Sequence, residues 1–355
     1  MNMESLGWTP ELESHFRQNA GPDEGYGRVA LEHTHLYRLY TPRGDMLAEV
    51  SGKLRHEARG RNDYPAVGDW VTVRYREADG RAVIHGILPR FSKFSRKVAG
   101  SVTDEQIVAA NVNTVFLVNA LNQDFNMRRL ERYLILAWES GANPVVVLTK
   151  ADLCGEAERR ERIAEAEAAA IGVPVHAISA AAGVGLDALG PYFAAGQTVA
   201  LLGSSGAGKS TIVNRLYGET IMRVRDIRED DDKGRHTTTH RELVPLPGGG
   251  VLIDTPGMRE LQLWHADEGL DQGFRDVEEL AALCRFGDCG HGTEPGCAVQ
   301  AALRTGELAA DRYASYLKLR KELAYLARKE DAALRQKEKE RWKRIHADMR
   351  KNGKP

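Results

Sequence analysis

Several features that would define other protein classes are missing from this 355-residue chain. It has no apolar run long enough to cross a bilayer. The stretch from Met1 to Phe16 carries charges and lacks the apolar core of a secretory signal, so we expect a cytoplasmic protein without a membrane partner. Cysteine is scarce, and three of the four cysteines lie between Cys284 and Cys297, which argues against a disulfide framework. The chain length predicts two or three domains.

Positive charge is concentrated at the C-terminal end of the chain. From Lys318 to Pro355 there are 14 Lys and Arg and 6 Asp and Glu, an excess of eight positive charges in a chain of net charge -1. Such a segment favours a polyanionic partner. A solvated helix without a partner is the alternative interpretation.

The N-terminal quarter of the sequence shows a polar segment followed by short strands. Residues 1–27 predict a short helix from Pro10 to Phe16 and a loose tether. Residues 28–97 alternate apolar and polar positions between turns, which predicts a small β-barrel and then a basic linker. The barrel strands are predicted at 36–40, 48–50, 70–75 and 82–84, and the linker carries Arg90, Lys93, Arg96 and Lys97.

Strands and helices alternate over residues 98–265. This rhythm predicts an α/β domain with a mostly parallel sheet and helices on both faces. After this domain the chain becomes helical over residues 266–330, and residues 331–355 form a basic helix or tail. The predicted strands lie at 112–118, 145–148, 173–178, 199–202 and 251–253, and the predicted helices at 127–139 and 156–171.

A glycine-rich segment in this domain fits the phosphate-binding pattern G-x-x-x-x-G-K-[ST]. Its glycines let backbone N–H groups wrap phosphates without interference from β-carbons. Lys209 supplies a charge to the β- and γ-phosphates, and the Ser210 hydroxyl supplies a ligand to Mg²⁺. The predicted phosphate-binding residues are Gly203, Ser204, Ser205, Gly206, Ala207, Gly208, Lys209, Ser210 and Thr211.

A second phosphate-sensing run follows at Asp254-Thr255-Pro256-Gly257. The Asp254 carboxylate closes a predicted strand and is expected to serve the Mg²⁺ shell, while the Gly257 N–H meets the γ-phosphate. Many GTPases carry next a Gln that orients the attacking water. Met258 stands there, and its thioether cannot orient water, so catalysis needs another group.

The run Gly-Arg-His-Thr-Thr-Thr at 234–239 is the best source of that group. It falls between the phosphate loop and Asp254, where a first switch segment belongs. A threonine of this run would coordinate Mg²⁺ in the triphosphate state, and His236 would orient or deprotonate the water. An exposed loop histidine is the alternative.

Guanine recognition is predicted about fifty residues before the phosphate loop, at Thr149-Lys150-Ala151-Asp152. The Asp152 carboxylate can accept from N1–H and the 2-amino group of guanine, and the Lys150 stem can lie along the purine. Ser179 and Ala180, after the next strand, can place an N–H on the guanine O6. Base recognition thus precedes phosphate recognition along the chain, which predicts a circularly permuted GTPase.

A cysteine and histidine cluster lies in the predicted helical region. Cys284, Cys289, His291 and Cys297 offer three thiolates and one imidazole, the closed ligand set of a structural Zn²⁺ site. Because four ligands leave no open position, we expect this site to have no catalytic part.

With these motifs the chain resembles the ribosome small-subunit-dependent GTPase A family (RsgA, also called YjeQ). The resemblance covers nearly the whole chain, including Tyr-Pro-Ala-Val-Gly-Asp-Trp-Val at 64–71, the run at 234–239 and the zinc ligands. It implies an OB-fold barrel and a monomer that binds GTP and GDP. It implies binding to the small (30S) ribosomal subunit and its rRNA, and action in late maturation of that subunit. It also implies that Thr238 is the Mg²⁺ ligand and His236 the catalytic histidine.

Two other functions remain open from the residues alone. A nucleotide-gated RNA-binding module with negligible turnover is compatible with Met258. An ATP-using phosphate-loop enzyme with an appended zinc domain is disfavoured by the Asp152 carboxylate, which suits guanine. GTP hydrolysis measured with and without small subunits distinguishes the RNA-binding module from a GTPase. Competition between GTP and ATP distinguishes the ATP-using enzyme from a GTPase.

Overall fold

The described part of the chain forms two compact units. The first comprises Met1–Arg96 and Gln106–Leu261, and the second comprises Lys97–Glu105 and Gln262–Pro355. No helix among the described residues is long and apolar enough to span a membrane. The computed structural model describes residues 2–33, 36–97, 105–218, 242–254, 267–328 and 336.

The N-terminal segment is packed, which makes the prediction of a loose tether wrong. Helix α1 (Pro10–Asn19) extends three residues beyond the predicted end. Before it, the side chains of Met3 and Leu6 are buried. The Trp8 ring stacks on Tyr26 with a centroid distance of 3.8 Å. Burial of these apolar side chains offsets the conformational entropy lost by ordering the segment.

The predicted small β-barrel is present, and it has five strands where the sequence predicted four. Strand β1 pairs with both β2 and β4, and β3 pairs with β5 in parallel, so the ring closes. The barrel interior is apolar, with Val29, Leu39, Val71 and Ile84 fully buried. The strands are β1 (Gly25–His33), β2 (Leu36–Thr41), β3 (Gly44–Val50), β4 (Trp70–Arg76) and β5 (Arg81–Ile87), with helix α2 (Gly52–Glu57) after β3.

Strand β1 begins inside the segment predicted as a tether. The glycines at the start of β1 obscure its strand pattern. They are needed because residues of the neighbouring strands occupy the space that larger side chains would fill. A β-carbon at Gly25 would overlap the ring of Tyr75, and one at Gly27 would lie 3.1 Å from the Tyr40 carbonyl. Glycine here permits close approach of strands.

The linker after the barrel is partly strand. Strands β6 (Lys93–Lys97) and β7 (Glu105–Ala110) form a two-stranded sheet. Arg90, predicted as a linker charge, forms a two-point ion pair with the fully buried Asp69, each N···O distance being 2.7 Å. Arg90 therefore serves the fold, because its guanidinium compensates a carboxylate that is removed from water.

The α/β domain has the predicted parallel sheet, in the order β10-β9-β8-β11-β13, with β12 antiparallel at its end. Continuous apolar strands such as β8 and β11 are buried along their whole length, as expected for a sheet covered on both faces. The elements are β8 (Thr114–Ala120), α3 (Met127–Ser140), β9 (Asn143–Thr149), α4 (Glu156–Ala169), β10 (Val175–Ala177), β11 (Thr198–Gly203), α5 (Lys209–Tyr217), β12 (Glu242–Pro245) and β13 (Val251–Asp254).

Strand β12 joins the barrel to this sheet, and the sequence did not predict it. Leu31 of β1 pairs with Glu242 of β12, so eleven strands form one continuous sheet. The Arg38 guanidinium on β2 also contacts the Glu242 carboxylate of β12, at 2.8 Å. The barrel and the α/β domain are therefore continuous through backbone hydrogen bonds.

The second unit is helical, as predicted. Arg312 forms a bidentate pair with Asp276, at 2.9 Å for each bond, and also donates to the Gly273 carbonyl. Phe274 is fully buried and packs near Tyr316. The helices are α6 (Asp267–Gly273), α7 (Arg275–Ala282), α8 (Ala298–Thr305) and α9 (310–328).

Candidate functional site

The phosphate loop follows β11 and leads directly into α5, the context that the motif requires. Gly203 ends the strand, and a β-carbon there would overlap the Val118 carbonyl of the neighbouring strand. Gly206 and Gly208 adopt positive φ values of 72° and 95°. These left-handed positions turn the chain sharply before α5 begins at Lys209. The loop thus sits at the N-terminus of a helix, which is a favourable place for anions.

The lysine of the phosphate loop lies folded over its own loop. The Lys209 Nζ donates to the carbonyls of Gly203 at 2.7 Å and Ser204 at 2.6 Å. Ala207 is buried, whereas Ser205 and Gly206 are exposed. The ammonium group is therefore held at the loop, within the region where a phosphate would enter.

An acidic residue that the sequence interpretation missed contacts the phosphate loop. The Ser204 hydroxyl donates to the Asp124 carboxylate at 2.6 Å. Arg129 binds the same carboxylate through several hydrogen bonds of 3.0–3.1 Å. The hydrogen bond from Arg129 lowers the pKa of Asp124, and Ser204 and the positive charge of Lys150 lower it further. No local motif marks Asp124, because it lies eighty residues before Ser204.

Thr149 joins the base-recognition segment to the phosphate loop. It ends β9, is almost fully buried, and its hydroxyl donates to the Ala207 carbonyl at 2.6 Å. A single hydroxyl thus braces the two loops. This contact ties the two halves of the expected nucleotide site together.

Lys150 and Asp152 lie at the carboxyl end of β9. Lys150 adopts a left-handed backbone conformation with φ of 59°, uncommon outside glycine. Asp152 follows in a short 3-10 helix (Ala151–Leu153) and is exposed. The Ala151 N–H donates to the Ile178 carbonyl at 3.1 Å, which anchors this turn to the next loop. The Asp152 carboxylate is therefore accessible to a ligand.

The loop after β10 lies beside this turn. Ser179 and Ala180 are both buried. The Ser179 N–H and carbonyl pair with the carbonyl and N–H of Val184, each at 3.0 Å, which closes the loop. Because β9 and β10 are parallel neighbours, their following loops meet at one edge of the sheet. The structure thus brings both predicted base-recognition segments to the edge that carries the phosphate loop.

The predicted Mg²⁺ residues are only partly within the described chain. Ser210 and Thr211 lie in the first turn of α5 and are half-buried. Asp254 ends β13, which is the parallel neighbour of β11. The sequence thus places a hydroxyl residue directly after the phosphate loop and a carboxylate residue at the end of the neighbouring strand, and both supply oxygen ligands of the kind Mg²⁺ prefers. The predicted residues His236, Thr238 and Gly257, together with Met258, lie outside the described residues.

The cysteine and histidine cluster is assembled in the second unit. Cys284, Cys289, His291 and Cys297 place one donor atom each within 4.8 Å of one another. The Cys284 and Cys297 sulfurs are 3.8 Å apart, and the His291 Nδ1 lies 3.5 and 3.6 Å from them. Tetrahedral Zn²⁺ with ordinary bond lengths separates two sulfurs by about 3.8 Å and a sulfur from a nitrogen by about 3.6 Å. The donors of Cys284, His291 and Cys297 therefore have the spacing of such a site, and the Cys289 sulfur lies within 4.8 Å of them.

Further contacts hold these donors in place. The Gln300 N–H donates to the Cys297 sulfur at 3.4 Å, where that residue caps α8, and the Gln300 side chain donates to the His291 carbonyl at 2.7 Å. The Glu294 carboxylate accepts from the Gly290 and Gly292 N–H groups at 3.0 and 2.6 Å. The loop between the ligands is thus ordered by its own hydrogen bonds, and the cluster can hold a metal ion.

Sequence comparison agrees with these features. A family model described as RsgA GTPase matches residues 87–264. A protein from Opitutus terrae named "Small ribosomal subunit biogenesis GTPase RsgA" is 50% identical over 361 aligned residues, which cover 99% of this chain and 97% of that protein. A protein from Oceanobacillus iheyensis named "Small ribosomal subunit biogenesis GTPase RsgA 1" is 49% identical, with 92% of each chain covered.

Solved structures show the same architecture. The crystal structure of YjeQ from Thermotoga maritima superposes with a TM-score of 0.65 at 28% identity, covering 85% of this chain and 99% of that one. YloQ, described as a circularly permuted GTPase, superposes with a TM-score of 0.62 at 24% identity, covering 86% of this chain and 97% of that one. The predicted order of barrel, permuted α/β domain and helical region with the cysteine and histidine cluster is confirmed. The chain belongs to the RsgA GTPase family and is a circularly permuted GTP hydrolase.

Proposed function

We propose that this GTPase binds the small (30S) ribosomal subunit, hydrolyses GTP to GDP and phosphate there, and acts in late maturation of that subunit. The observation that carries the proposal is the 50% identity, over 99% of this chain, to a protein named for small ribosomal subunit biogenesis. We further propose a cytoplasmic monomer whose partners are GTP, GDP, the subunit and its rRNA.

The domain division that we propose follows from the predicted boundaries. Residues 1–27 form the N-terminal extension, and residues 28–97 the OB-fold barrel with its basic linker. Residues 98–265 form the GTPase domain, residues 266–330 the zinc-binding helical domain, and residues 331–355 the basic tail. In this division the nucleotide site belongs to one domain, and the other domains are available for the subunit.

At the nucleotide, the phosphate loop and the two base-recognition segments are proposed to act together. Backbone N–H groups of residues 203–211 surround the phosphates, and Lys209, already held at the loop, neutralises the β- and γ-phosphates. Asp152 reads the guanine edge, and Lys150 covers the purine. Support comes from the Thr149–Ala207 hydrogen bond, which couples the base and phosphate segments.

Mg²⁺ fits the oxygen donors at this edge, and Ser210, Asp254 and Thr238 are the residues proposed to hold it. When bound with GTP it would neutralise the charge that develops on the phosphates. His236 is proposed to orient the attacking water, a role for which the apolar Met258 is unsuited. The backbone N–H of Gly257 would contact the γ-phosphate of GTP.

Zn²⁺ is the metal proposed for the four-residue cluster. Three thiolates and an imidazole are soft and borderline donors that suit this ion, and the spacings among Cys284, His291 and Cys297 match its tetrahedral geometry. All four positions are filled by protein, so the ion is structural. Its ligands would stabilise the loop between Cys284 and Cys297.

The basic C-terminal segment is proposed to contact rRNA phosphates. In α9 the apolar side chains of Leu319 and Leu323 are buried, while Lys318, Arg320 and Lys321 are exposed. The helix thus has one packed side and a solvent-facing basic side. Positive charge facing solvent supplies sequence-independent affinity for nucleic acid.

GTP hydrolysis in the presence of purified small subunits tests the proposal. We expect turnover to rise with small subunits and to stay at the basal rate with large subunits, which serve as the matched control. His236→Ala should lower the stimulated rate by roughly 100-fold or more and leave GTP binding near normal. Equal turnover with either subunit would contradict the proposed partner. Stimulated turnover of His236→Ala at the wild-type rate would place the catalytic group elsewhere.

A further inference from the structure

The loop after β10 has two backbone donors that the fold leaves open. Among the described residues, no oxygen accepts from the N–H of Ala180 or of Ala181. Their neighbours Ser179, Ala182 and Val184 all use their N–H groups within the loop. Polar backbone groups are rarely left unpaired in a protein unless water or a ligand completes them. The loop is therefore suited to an acceptor atom of a ligand.

The direction of these N–H groups is set by the carbonyls that share their peptide planes. In a trans peptide the C=O and the following N–H point in opposite directions. The Ser179 carbonyl accepts from Val184 N–H at 3.0 Å, which orients the Ala180 N–H away from that contact. The Ala180 carbonyl in turn determines where the Ala181 N–H points.

Arg215 is the residue that holds the Ala180 carbonyl. Its Nε donates to the Ala180 carbonyl at 3.0 Å, and its terminal nitrogen donates to the Ala181 carbonyl at 2.7 Å. The second contact fixes the next peptide, whose N–H at Ala182 donates to the Ser179 hydroxyl at 3.1 Å. One guanidinium thus sets two successive peptide planes.

Apart from Arg215, the loop is held by the Ser179–Val184 pair at its base and by the Ala182 N–H on the Ser179 hydroxyl. Ala181, Ala182 and Gly183 offer no polar side chain, and Gly183 adopts a positive φ of 74°. Arg215 reaches the loop from α5, the helix that begins at the phosphate loop. The planar guanidinium suits this task because its donors form a rigid fork, whereas a lysine ammonium is a point charge.

We propose that Arg215 is a positioning residue for guanine recognition, which aims the Ala181 N–H, beside that of Ala180, at the O6 of the base. The inference rests on the proposed base site and adds a donor and a specificity-determining residue to it. Adenine carries an amino group where guanine carries O6, so two fixed N–H donors reject it. Because Arg215 sits on α5, base selection is coupled mechanically to the phosphate-loop helix.

Binding of GDP and 6-thio-GDP provides the test, since the two ligands share the sugar, the diphosphate and N1–H and differ at the atom in question. Sulfur at position 6 accepts N–H hydrogen bonds weakly. Arg215→Met removes the donors and keeps the apolar stem, and Arg215→Lys keeps one charge. Arg160→Met is the matched control, because Arg160 is exposed and pairs with Glu156 on its own helix.

We expect wild type to prefer GDP over 6-thio-GDP and over ADP. Arg215→Met should lose about tenfold in GDP affinity, the scale of one to two net hydrogen bonds, and the preference for GDP over 6-thio-GDP should fall by a similar factor. Arg215→Lys should recover part of the preference, and Arg160→Met should retain all of it. A general loss of stability would weaken both ligands equally and leave the ratio unchanged.

Two results would overturn the inference. One concerns the role of Arg215, and the other concerns the proposed base site itself. An unchanged ratio in Arg215→Met, with wild type still preferring GDP, would show that Arg215 only supports the fold. A wild-type protein that binds GDP, 6-thio-GDP and ADP alike would remove the proposed base site itself.

Discussion

The hydrogen bond from Thr149 to the Ala207 carbonyl offers the sharpest test of how the nucleotide site is held together. Thr149→Val keeps the shape of the side chain and removes the donor. The bond is 2.6 Å long, and both residues are buried, with Thr149 1% exposed. Loss of one partner of a buried hydrogen bond costs about 1–3 kcal/mol.

Part of this cost should appear in nucleotide affinity. Without the bond, the base-recognition segment and the phosphate loop must be ordered relative to each other when the ligand binds. We expect Thr149→Val to weaken GDP binding by about tenfold, equivalent to about 1.4 kcal/mol. Isothermal titration calorimetry with GDP measures the loss of affinity. Thermal unfolding of the nucleotide-free protein measures the part of the cost that appears as lost stability. Thr149→Ser, which keeps the hydroxyl, should lie close to wild type.

A second buried threonine supplies the matched control. Thr198 on β11 is also 1% exposed, but its hydroxyl has no hydrogen-bond partner among the described residues. Thr198→Val should therefore be neutral or slightly stabilising, since it removes an unpaired buried hydroxyl. The reasoning is refuted if Thr149→Val binds GDP like wild type, or if both variants lose the same affinity.

Three other predictions concern the base, the metal and the tail. Asp152→Asn should weaken GTP binding by about 1.5–3 kcal/mol, the scale of a hydrogen bond to a charged group, and should improve XTP binding. Native mass spectrometry should find one Zn²⁺ per chain, and Cys289→Ser should lose the ion and the local structure at 284–297 while nucleotide binding persists. Removal of residues 336–355 should weaken small-subunit binding and flatten its dependence on salt, because fewer counterions are released, without changing nucleotide affinity.

Each of these has a contrary result. Unaltered GTP binding by Asp152→Asn would place base recognition elsewhere. Loss of nucleotide binding together with the metal in Cys289→Ser would mean that the two units fold as one. A truncated chain with the wild-type affinity and salt slope would leave the tail as a solvated helix without a partner.

Local patterns were enough to predict most elements of the α/β domain and the order of its parts. The predicted helix at 127–139 is α3 (Met127–Ser140), and the predicted strand at 199–202 is β11 (Thr198–Gly203). Such elements carry their own signal, because a buried parallel strand is apolar throughout and a helix repeats its apolar positions every three to four residues. The cysteine and histidine spacing likewise predicted a ligand set that the fold brings together.

Strands that form only by pairing with strands far away in the sequence were not predictable from local patterns. β1 (Gly25–His33) begins with glycines that resemble a turn, and β12 (Glu242–Pro245) is only four residues long. Each is a strand because another strand lies beside it: β1 pairs with β2, β4 and β12, and β12 also pairs with β13. Strand preference depends on such packing more than on the segment itself.

The sequence by itself determined the chemistry that this chain can present: a phosphate loop, a carboxylate suited to guanine, and a set of soft metal ligands. These are properties of contiguous residues, because loop geometry and ligand type are encoded locally. Only the tertiary structure decided which groups hold those motifs in place. Asp124 meets Ser204, Thr149 meets Ala207 and Arg215 meets Ala180 across at least 35 residues of chain. Such contacts exist only after parallel strands have aligned their ends at one edge of the sheet, so their cause is the fold rather than any local pattern.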